Sequence, residues 1–572
     1  MNTEYDVAVI GGGIIGAACA LECARRGLRT VLLEKSDFGS ETSAGSFKII
    51  HGGLRYLQHL DFSRVRESAR EQYLLRKNAP HLVTPLPFLV PCYGSGKKGK
   101  TVMHIACSLY EFLSKGRNKD MPDSLVLPDH SVLSKEEVLA IAPALPCENL
   151  KGGVVFYDCQ MRNPDRLTLA VVKSAEKAGA DVRNYTEVSQ IVSSQIPEGR
   201  KIESLRLKKK GGLTEEIRVR NVINAMGPWA ERIGELFDGS KEEGISRKVR
   251  YSKGIQLILP EIFSTYALSV ESKGSDRAAS LRRGGRSFFL QPWRGRTLVG
   301  TTDTIYEDDP SAFSITNREI QEFLSEVRES YPSKKLDSSL VLGAFGGLRA
   351  ISDEADKDAA SGIDRNGMVN TTRDEVIVDH DKKFPWKGLD RIANLVSVVG
   401  VKYTTFRNVA EEVVSVLGKK GVHIAGTTTR DVQLAGAPSL DAMKYFLETS
   451  KKKLKEAGAE KNNSFSNDLI YEYGTELDEI IHNTKKCMSD TKRPFNEAFM
   501  SSRIKYAIEK EYVHNLKDLV LRRFSEYSLG DCTDHYIDSI SEHYGTVAGL
   551  DPDSLNHARK ELYFEMGKFN KR

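Results

Sequence analysis

The chain has 572 residues, of which 40% are hydrophobic and 28% charged, with a formal net charge of +5. That length exceeds what one hydrophobic core serves, so two or three lobes are expected. The charge is too slight to argue for nucleic acid, and no run of about 18 apolar residues is present to span a bilayer. Eight scattered cysteines read as reduced packing residues, with neither disulfide pairing nor metal-ligand spacing. Tyr5-Asp6-Val7-Ala8-Val9-Ile10 already reads as a strand, which leaves no room for an export signal and points to a cytoplasmic setting.

That strand runs into Gly11-Gly12-Gly13-Ile14-Ile15-Gly16, with glycines at all three positions of the dinucleotide fingerprint. Gly11 permits the tight turn, Gly13 admits a pyrophosphate close to the backbone, and Gly16 lets the following helix pack on the strand. The helix is predicted over Ile14–Arg26, with Gly27 as its stop, and its N-terminus faces the phosphates. A second strand, Thr30–Leu33, ends at Glu34, whose carboxylate suits the two ribose hydroxyls of an adenosine and disfavours a 2′-phosphate. The fingerprint alone does not separate FAD from NAD.

The next segment, Thr42-Ser43-Ala44-Gly45-Ser46-Phe47-Lys48-Ile49-Ile50-His51-Gly52-Gly53-Leu54-Arg55-Tyr56-Leu57, joins a small-residue loop to a basic and aromatic cluster. It resembles the flavin-contacting loop of the FAD-dependent glycerol-3-phosphate dehydrogenases, within the D-amino-acid-oxidase-like flavoenzymes. The resemblance continues in order through Asn78–Leu82, Pro85–Phe88, Asn224-Ala225-Met226-Gly227-Pro228-Trp229, Gly300–Asp303, Gly347-Leu348-Arg349, Thr372-Arg373-Asp374 and Gly400–Phe406. Past residue 430, Tyr506–Tyr512 and Leu521-Arg522-Arg523 are similar to the family's C-terminal helical domain. Phe47, Ala350 and Val401 depart from its pattern, and the stretch from Arg349 to Arg373 is longer than usual.

The resemblance implies FAD as cofactor, held by Gly11, Gly13, Gly16, Glu34, Thr42, Ser43, Lys48, Gly52, Gly227, Lys402, Thr404 and Thr405. It implies that Arg55, Tyr56, Lys402 and Thr404 face a substrate phosphate, that Arg373 lines the same pocket, and that Arg349 sits by the reacting hydroxyl. The chemistry suits these types. Guanidinium grips an anion with paired hydrogen bonds, and ammonium acts as a point charge. His51 is the candidate proton acceptor, because its ordinary pKa lies near working pH and neighbouring cations favour the neutral ring. A strand at Val396–Val399 followed by Thr404-Thr405 and a helical stretch gives a second helix N-terminus for the reduced flavin's charge.

The fold expected is α/β, α+β overall: a Rossmann-like FAD domain from residues 1–80, 150–230 and 340–425, an antiparallel-sheet substrate domain from 81–149 and 231–339, and a helical domain over 430–572. Strands are predicted at Gln256–Leu259 and Ser287–Gln291. The expected reaction oxidises sn-glycerol-3-phosphate to dihydroxyacetone phosphate with quinone as electron acceptor. Partners are thus the phosphate ester, quinone, a membrane surface through peripheral association, and a second copy of the chain, with no nucleic acid and no metal. The lysine-rich Lys451–Lys455 is the candidate lipid contact, against the plainer reading of a solvated helix. Three rivals remain: an oxidase releasing peroxide, another hydroxy-acid or amine substrate, and a flavin-binding module without turnover. Cys487 and Cys532 stand alone, which disfavours an iron–sulfur-linked form.

Overall fold

The structure is a computed structural model that describes residues 4–94, 99–237, 251–271, 287–350, 375–382, 391–400, 402–459 and 463–567. Its first sheet has eight strands, with the path Val376–Asp379, Leu395–Val399, Thr214–Asn224, Glu4–Ile10, Thr30–Leu33, Asp181–Arg183. The centre of that path is parallel, and the hairpin Thr186–Ile196/Gly199–Lys209 extends it through an antiparallel pairing with Thr214–Asn224. Successive residues of the first strand point to opposite faces. Val7 and Val9 join the core beneath the helices, while Ala8 and Ile10 join a separate core against the hairpin.

The first helix forms over Ile14–Arg25, one residue short of the predicted end, because Arg26 takes the cap. It packs against helices Pro164–Lys177 and Phe406–Lys419. Such close packing needs small side chains, and Ala17, Ala18, Cys19, Ala20 and Cys23 are all buried there. All eight cysteines are free.

The second sheet has ten strands, and its path runs from Thr304–Tyr306 through Tyr251–Pro260, Arg296–Gly300, Ser287–Trp293, Ala267–Glu271, Val83–Tyr93 and Leu150–Met161 to Ile49–Ile50. It is antiparallel except where Ala267–Glu271 meets Val83–Tyr93. Ile49–Ile50, Leu150–Met161 and Gly343–Ala350, which fall within the stretches expected for the FAD domain, pair in this sheet rather than in the parallel one. Apolar strand patterns declare burial but not pairing partner, so sequence could not assign them.

Beyond residue 430 the chain is helical, with long helices Met443–Ala457, Leu477–Thr491, Phe495–Lys510, Asp534–Ala548 and Pro552–Gly567 around two further apolar cores. No helix among the described residues is long and apolar enough to cross a membrane.

Candidate active site

The cradle is built by close backbone approach. Gly11 has φ +105°, and a Cβ there would lie 2.5 Å from the Ala225 carbonyl oxygen. A Cβ at Gly16 would fall 1.8 Å from the Gly11 carbonyl oxygen, so only glycine lets the helix seat against the turn. The Asn224–Gly227 segment thereby lies against the fingerprint, held by the buried Asn224 amide, which donates to the Ala230 carbonyl at 2.7 Å and the Ser397 hydroxyl at 3.0 Å. Gly227 itself has φ +56°. The Ile14 amide donates to Ser43 Oγ at 3.0 Å, and the first turn of the helix contains no acid.

Glu34 stands at the end of its strand as expected, with a feature that sequence did not reveal. Its carboxylate accepts from the Gly12 amide at 2.7 Å and the Ser36 amide at 2.8 Å. Burial raises its pKa against those two amides. Each oxygen keeps a further lone pair for a hydroxyl donor.

The loop after it is sewn to the strand Gly343–Ala350. Thr42 Oγ1 donates to the Leu348 carbonyl at 3.3 Å, and a Cβ on Gly45 would lie 1.9 Å from the Gly346 carbonyl oxygen. That strand carries Arg349, so the loop and the arginine move as one. Arg349 Nη2 lies 3.4 Å from Asp303 Oδ1 and 3.5 Å from Ser252 Oγ, and the Ser252 hydroxyl in turn donates to Asp303.

His51, Tyr56, Lys402 and Thr404 meet across some 350 residues of chain. The His51 amide donates to Thr404 Oγ1 at 3.2 Å, its ring meets the Tyr56 ring edge-on at 6.0 Å, and Lys402 Nζ lies 5.0 Å from the Tyr56 ring centroid. Tyr403 fixes this turn by donating to the Pro164 carbonyl at 3.0 Å and sharing a 2.8 Å hydrogen bond with Thr168. Burial, then Lys402, then Arg55 push the His51 pKa down to about 4. Burial, with Arg349 close enough for its charge to be felt, also lowers the Arg55 pKa, although Arg55 keeps part of its surface exposed. Arg373 lies outside the described residues.

Sequence reasoning missed Asp158, which accepts from the Gly52 amide at 2.6 Å and from Gln72 Nε2 at 3.0 Å. Burial lifts its carboxyl to about 7. A Cβ at Gly52 would collide with the Tyr110 hydroxyl, 1.7 Å away, so the turn after His51 is clamped from both sides. The available signal was a lone acid inside the apolar strand Val154–Cys159. Lys48, expected at the cofactor, is fully buried with its ammonium 3.5 Å from the Phe345 ring centroid and 4.8 Å from that of Trp293. Burial lowers its pKa to about 7, opposed by Asp165.

These residues fit an FAD. The glycine turn lies beside Glu34, and the end of the strand Leu395–Val399 approaches the first helix, since a Cβ on Gly400 would lie 2.8 Å from Ile15. Two buried hydroxyls in the converging segments, Ser46 Oγ and the Thr405 N-cap Oγ1, have no partner among the described residues.

Comparison with known proteins agrees. Residues 6–373 match the family described as FAD dependent oxidoreductase, and residues 427–554 match the C-terminal domain of alpha-glycerophosphate oxidase. A glycerol-3-phosphate dehydrogenase of Synechocystis is 31% identical over 91% of this chain and 89% of its own. The chain belongs to the FAD-dependent glycerol-3-phosphate dehydrogenase family. Another relative, the aerobic glycerol-3-phosphate dehydrogenase of Staphylococcus epidermidis, is 28% identical over 99% of this chain and 94% of its own. The Bacillus halodurans glycerol-3-phosphate dehydrogenase, solved with FAD, shares the fold with a TM-score of 0.74 at 23% identity, over 98% of this chain and 94% of that one. FAD is the cofactor of this dehydrogenase family member, and the chain is an oxidoreductase.

The half-buried histidine gives a pH-dependent signature. The folded protein keeps His51 neutral down to about pH 4, whereas an unfolded chain takes up the proton near 6.5. Its contribution to stability is therefore full above pH 6.5 and is lost as pH falls toward 4. Melting curves of the wild type and His51→Gln should converge through that window, and a difference flat across it would contradict a neutral ring.

Proposed function

We propose that the chain oxidises sn-glycerol-3-phosphate to dihydroxyacetone phosphate, and that the electrons leave to a quinone. The observation that supports this best is the convergence of Arg55, Tyr56, Lys402 and Thr404 around His51, with Arg349 near enough to Arg55 for its charge to be felt. Three cations from distant segments exceed what a single carboxylate requires and suit a phosphate dianion with a developing alkoxide beside it. Lys402 and Arg55 would hold the phosphate, with Thr404 and Tyr56 as hydroxyl partners. Burial, with their charge, keeps His51 neutral, so Nδ1 or Nε2 can accept the C2 hydroxyl proton. Arg349, steadied by Asp303 and Ser252, would stabilise the oxygen as that proton leaves. The bound flavin supplies the acceptor for the C2 hydride. Asp158 acts at one remove by fixing the Gly52 amide, and so the direction of His51.

The quinone reading has support on one surface. Helix Lys100–Leu113 exposes Val102, Ile105, Leu109 and Phe112 on one face, Ile105 at 60% and Phe112 at 72%. It buries Cys107 and Tyr110 on the other, and Tyr110 abuts Gly52. Leu60 and Phe62 are exposed next to the run Leu54–His59, which packs on the same helix. Lys97, Lys98, Lys100, Lys115 and Lys119 flank the stripe in sequence. An apolar stripe edged by lysines is how a helix lies in an anionic lipid interface. The Lys451–Lys455 stretch is the weaker candidate, because Lys453 is paired with Asp478 at 2.7 Å and Lys452 faces Glu456 at 3.8 Å. We therefore favour peripheral attachment through this helix at the cytoplasmic face of a membrane.

Replacing Lys402 by Ala should raise the dissociation constant of sn-glycerol-3-phosphate by about tenfold or more, the loss of one charge-assisted contact at about 1.5–3 kcal/mol. Unchanged affinity would remove Lys402 from the phosphate clamp. Arg349→Ala should instead slow flavin reduction at saturating substrate. Turnover with a short-chain quinone and with oxygen as sole acceptors separates the dehydrogenase from a peroxide-releasing oxidase. For the surface, Ile105→Asp and Phe112→Asp should abolish sedimentation with anionic vesicles and leave turnover with a soluble dye intact. Vesicle binding that survives both changes would contradict the attachment.

A further inference from the structure

Three residues beyond Glu34, one short segment serves two parts of the molecule. On the cofactor side, the Gly39 amide donates to the Gly12 carbonyl at 3.0 Å, and the Phe38 ring packs so tightly on Gly12 that a Cβ there would lie 2.6 Å from it. On the far side, Phe38 meets the Tyr512 ring edge-on at 5.4 Å. Between them stands Asp37, 1% exposed. Its carboxylate accepts from Arg523 Nη1 at 2.8 Å and Nη2 at 2.7 Å, from Arg522 Nε, and from Asn184 Nδ2 at 3.3 Å.

Both arginines belong to the π-helical turn Leu519–Arg523 of the C-terminal domain and are themselves fastened there, Arg522 to Asp518 at 2.8 Å and Arg523 to the Glu511 carbonyl at 2.8 Å. Burial raises the Asp37 pKa, and the two guanidiniums overcome it and hold the carboxyl far below its usual range. A buried ion pair is weak evidence for net stability, but removing one partner strands the other charges and releases the geometry that they fix. Here that geometry is the position of Gly12, whose amide grips Glu34.

We infer that Asp37 is a positioning residue for the cofactor. It fastens the Arg522–Arg523 turn of the C-terminal domain to the Glu34–Gly39 segment, and so holds Gly12 and Glu34 where they grip the adenosine half of FAD. The C-terminal domain is thereby part of the cofactor site in energetic terms, and by linkage FAD binding tightens its docking. The inference rests on the reading of Glu34 as the ribose acid, and Glu34→Ala serves as its control.

The test compares full-length wild type, Asp37→Asn, Arg523→Gln, Arg523→Lys and Glu34→Ala. Its readouts are the FAD dissociation constant by flavin fluorescence, the rise in Tm on adding FAD, and KM for sn-glycerol-3-phosphate. Asp37→Asn and Arg523→Gln should weaken FAD binding by about tenfold, within the usual range of coupling between sites, and shrink the FAD-induced rise in Tm. Arg523→Lys should recover part of the loss, and KM should not move. A merely structural role would lower Tm equally with and without FAD and leave the affinity unchanged, which overturns the inference. Loss of affinity in Glu34→Ala alone would overturn it while keeping the cradle, and loss in neither would overturn both. Loss in Asp37→Asn but not Glu34→Ala would sustain the positioning role, exerted through Gly12. Should Asp37→Asn not fold, hydrogen exchange on wild type decides: protection over residues 511–524 should rise when FAD is restored to the stripped protein, and no change contradicts the coupling.

Discussion

The site depends on backbone approaching backbone where no side chain intervenes. Gly16 sits on the Gly11 carbonyl, and Gly45 on the Gly346 carbonyl. The first contact seats a helix N-terminus against the end of the first strand. The second ties the flavin loop to the strand that carries Arg349. A methyl at either position would need space that backbone occupies, and a packed interior yields little. The fingerprint turn and the loop beside Arg349 are thus placed by these two contacts.

On this frame the cleft gathers cations, with the Asp303 carboxylate beside Arg349. Burial and then the charges of Lys402 and Arg55 act on His51, and Arg349 is close enough to Arg55 for its charge to be felt. Such an arrangement is costly in the absence of an anion and favourable with one, which is the character of a site made for a dianionic substrate. Several buried charges elsewhere are paired. Asp37 meets Arg522 and Arg523, Arg166 meets Glu511 at 2.7 Å, and Arg407 meets Glu71 at 2.6 Å. The contrast between matched pairs at the domain contacts and clustered cations at the cleft separates scaffold from site.

Much of this was legible in sequence because glycine and strand patterns are local. The fingerprint, the first helix to within one residue, Glu34, and the strand and helix around Lys402 follow from spacing alone. The convergence of His51 with Lys402 was implied by family resemblance, since no local rule joins residues some 350 positions apart. Asp158 and Asp37 were not legible as participants, because a buried acid declares itself only through partners such as the Gly52 amide or Arg523. Lys48 shows the converse: a cation in a cofactor motif whose ammonium lies against Phe345 and Trp293. The sheet allegiance of Leu150–Met161 and Gly343–Ala350 was likewise closed to pattern, since pairing partners are chosen by topology. Arg373 lies outside the described residues.

The central claim is that this cleft takes a phosphorylated secondary alcohol and delivers its hydride to the flavin. Anaerobic titration of the purified yellow protein with sn-glycerol-3-phosphate, following visible flavin absorbance with glycerol and lactate as controls, tests it without reference to any electron acceptor. The account predicts stoichiometric bleaching by the phosphate ester alone. A flavin that stays oxidised with it, or that bleaches equally with glycerol or lactate, would contradict the assignment of the cation cluster to a phosphate.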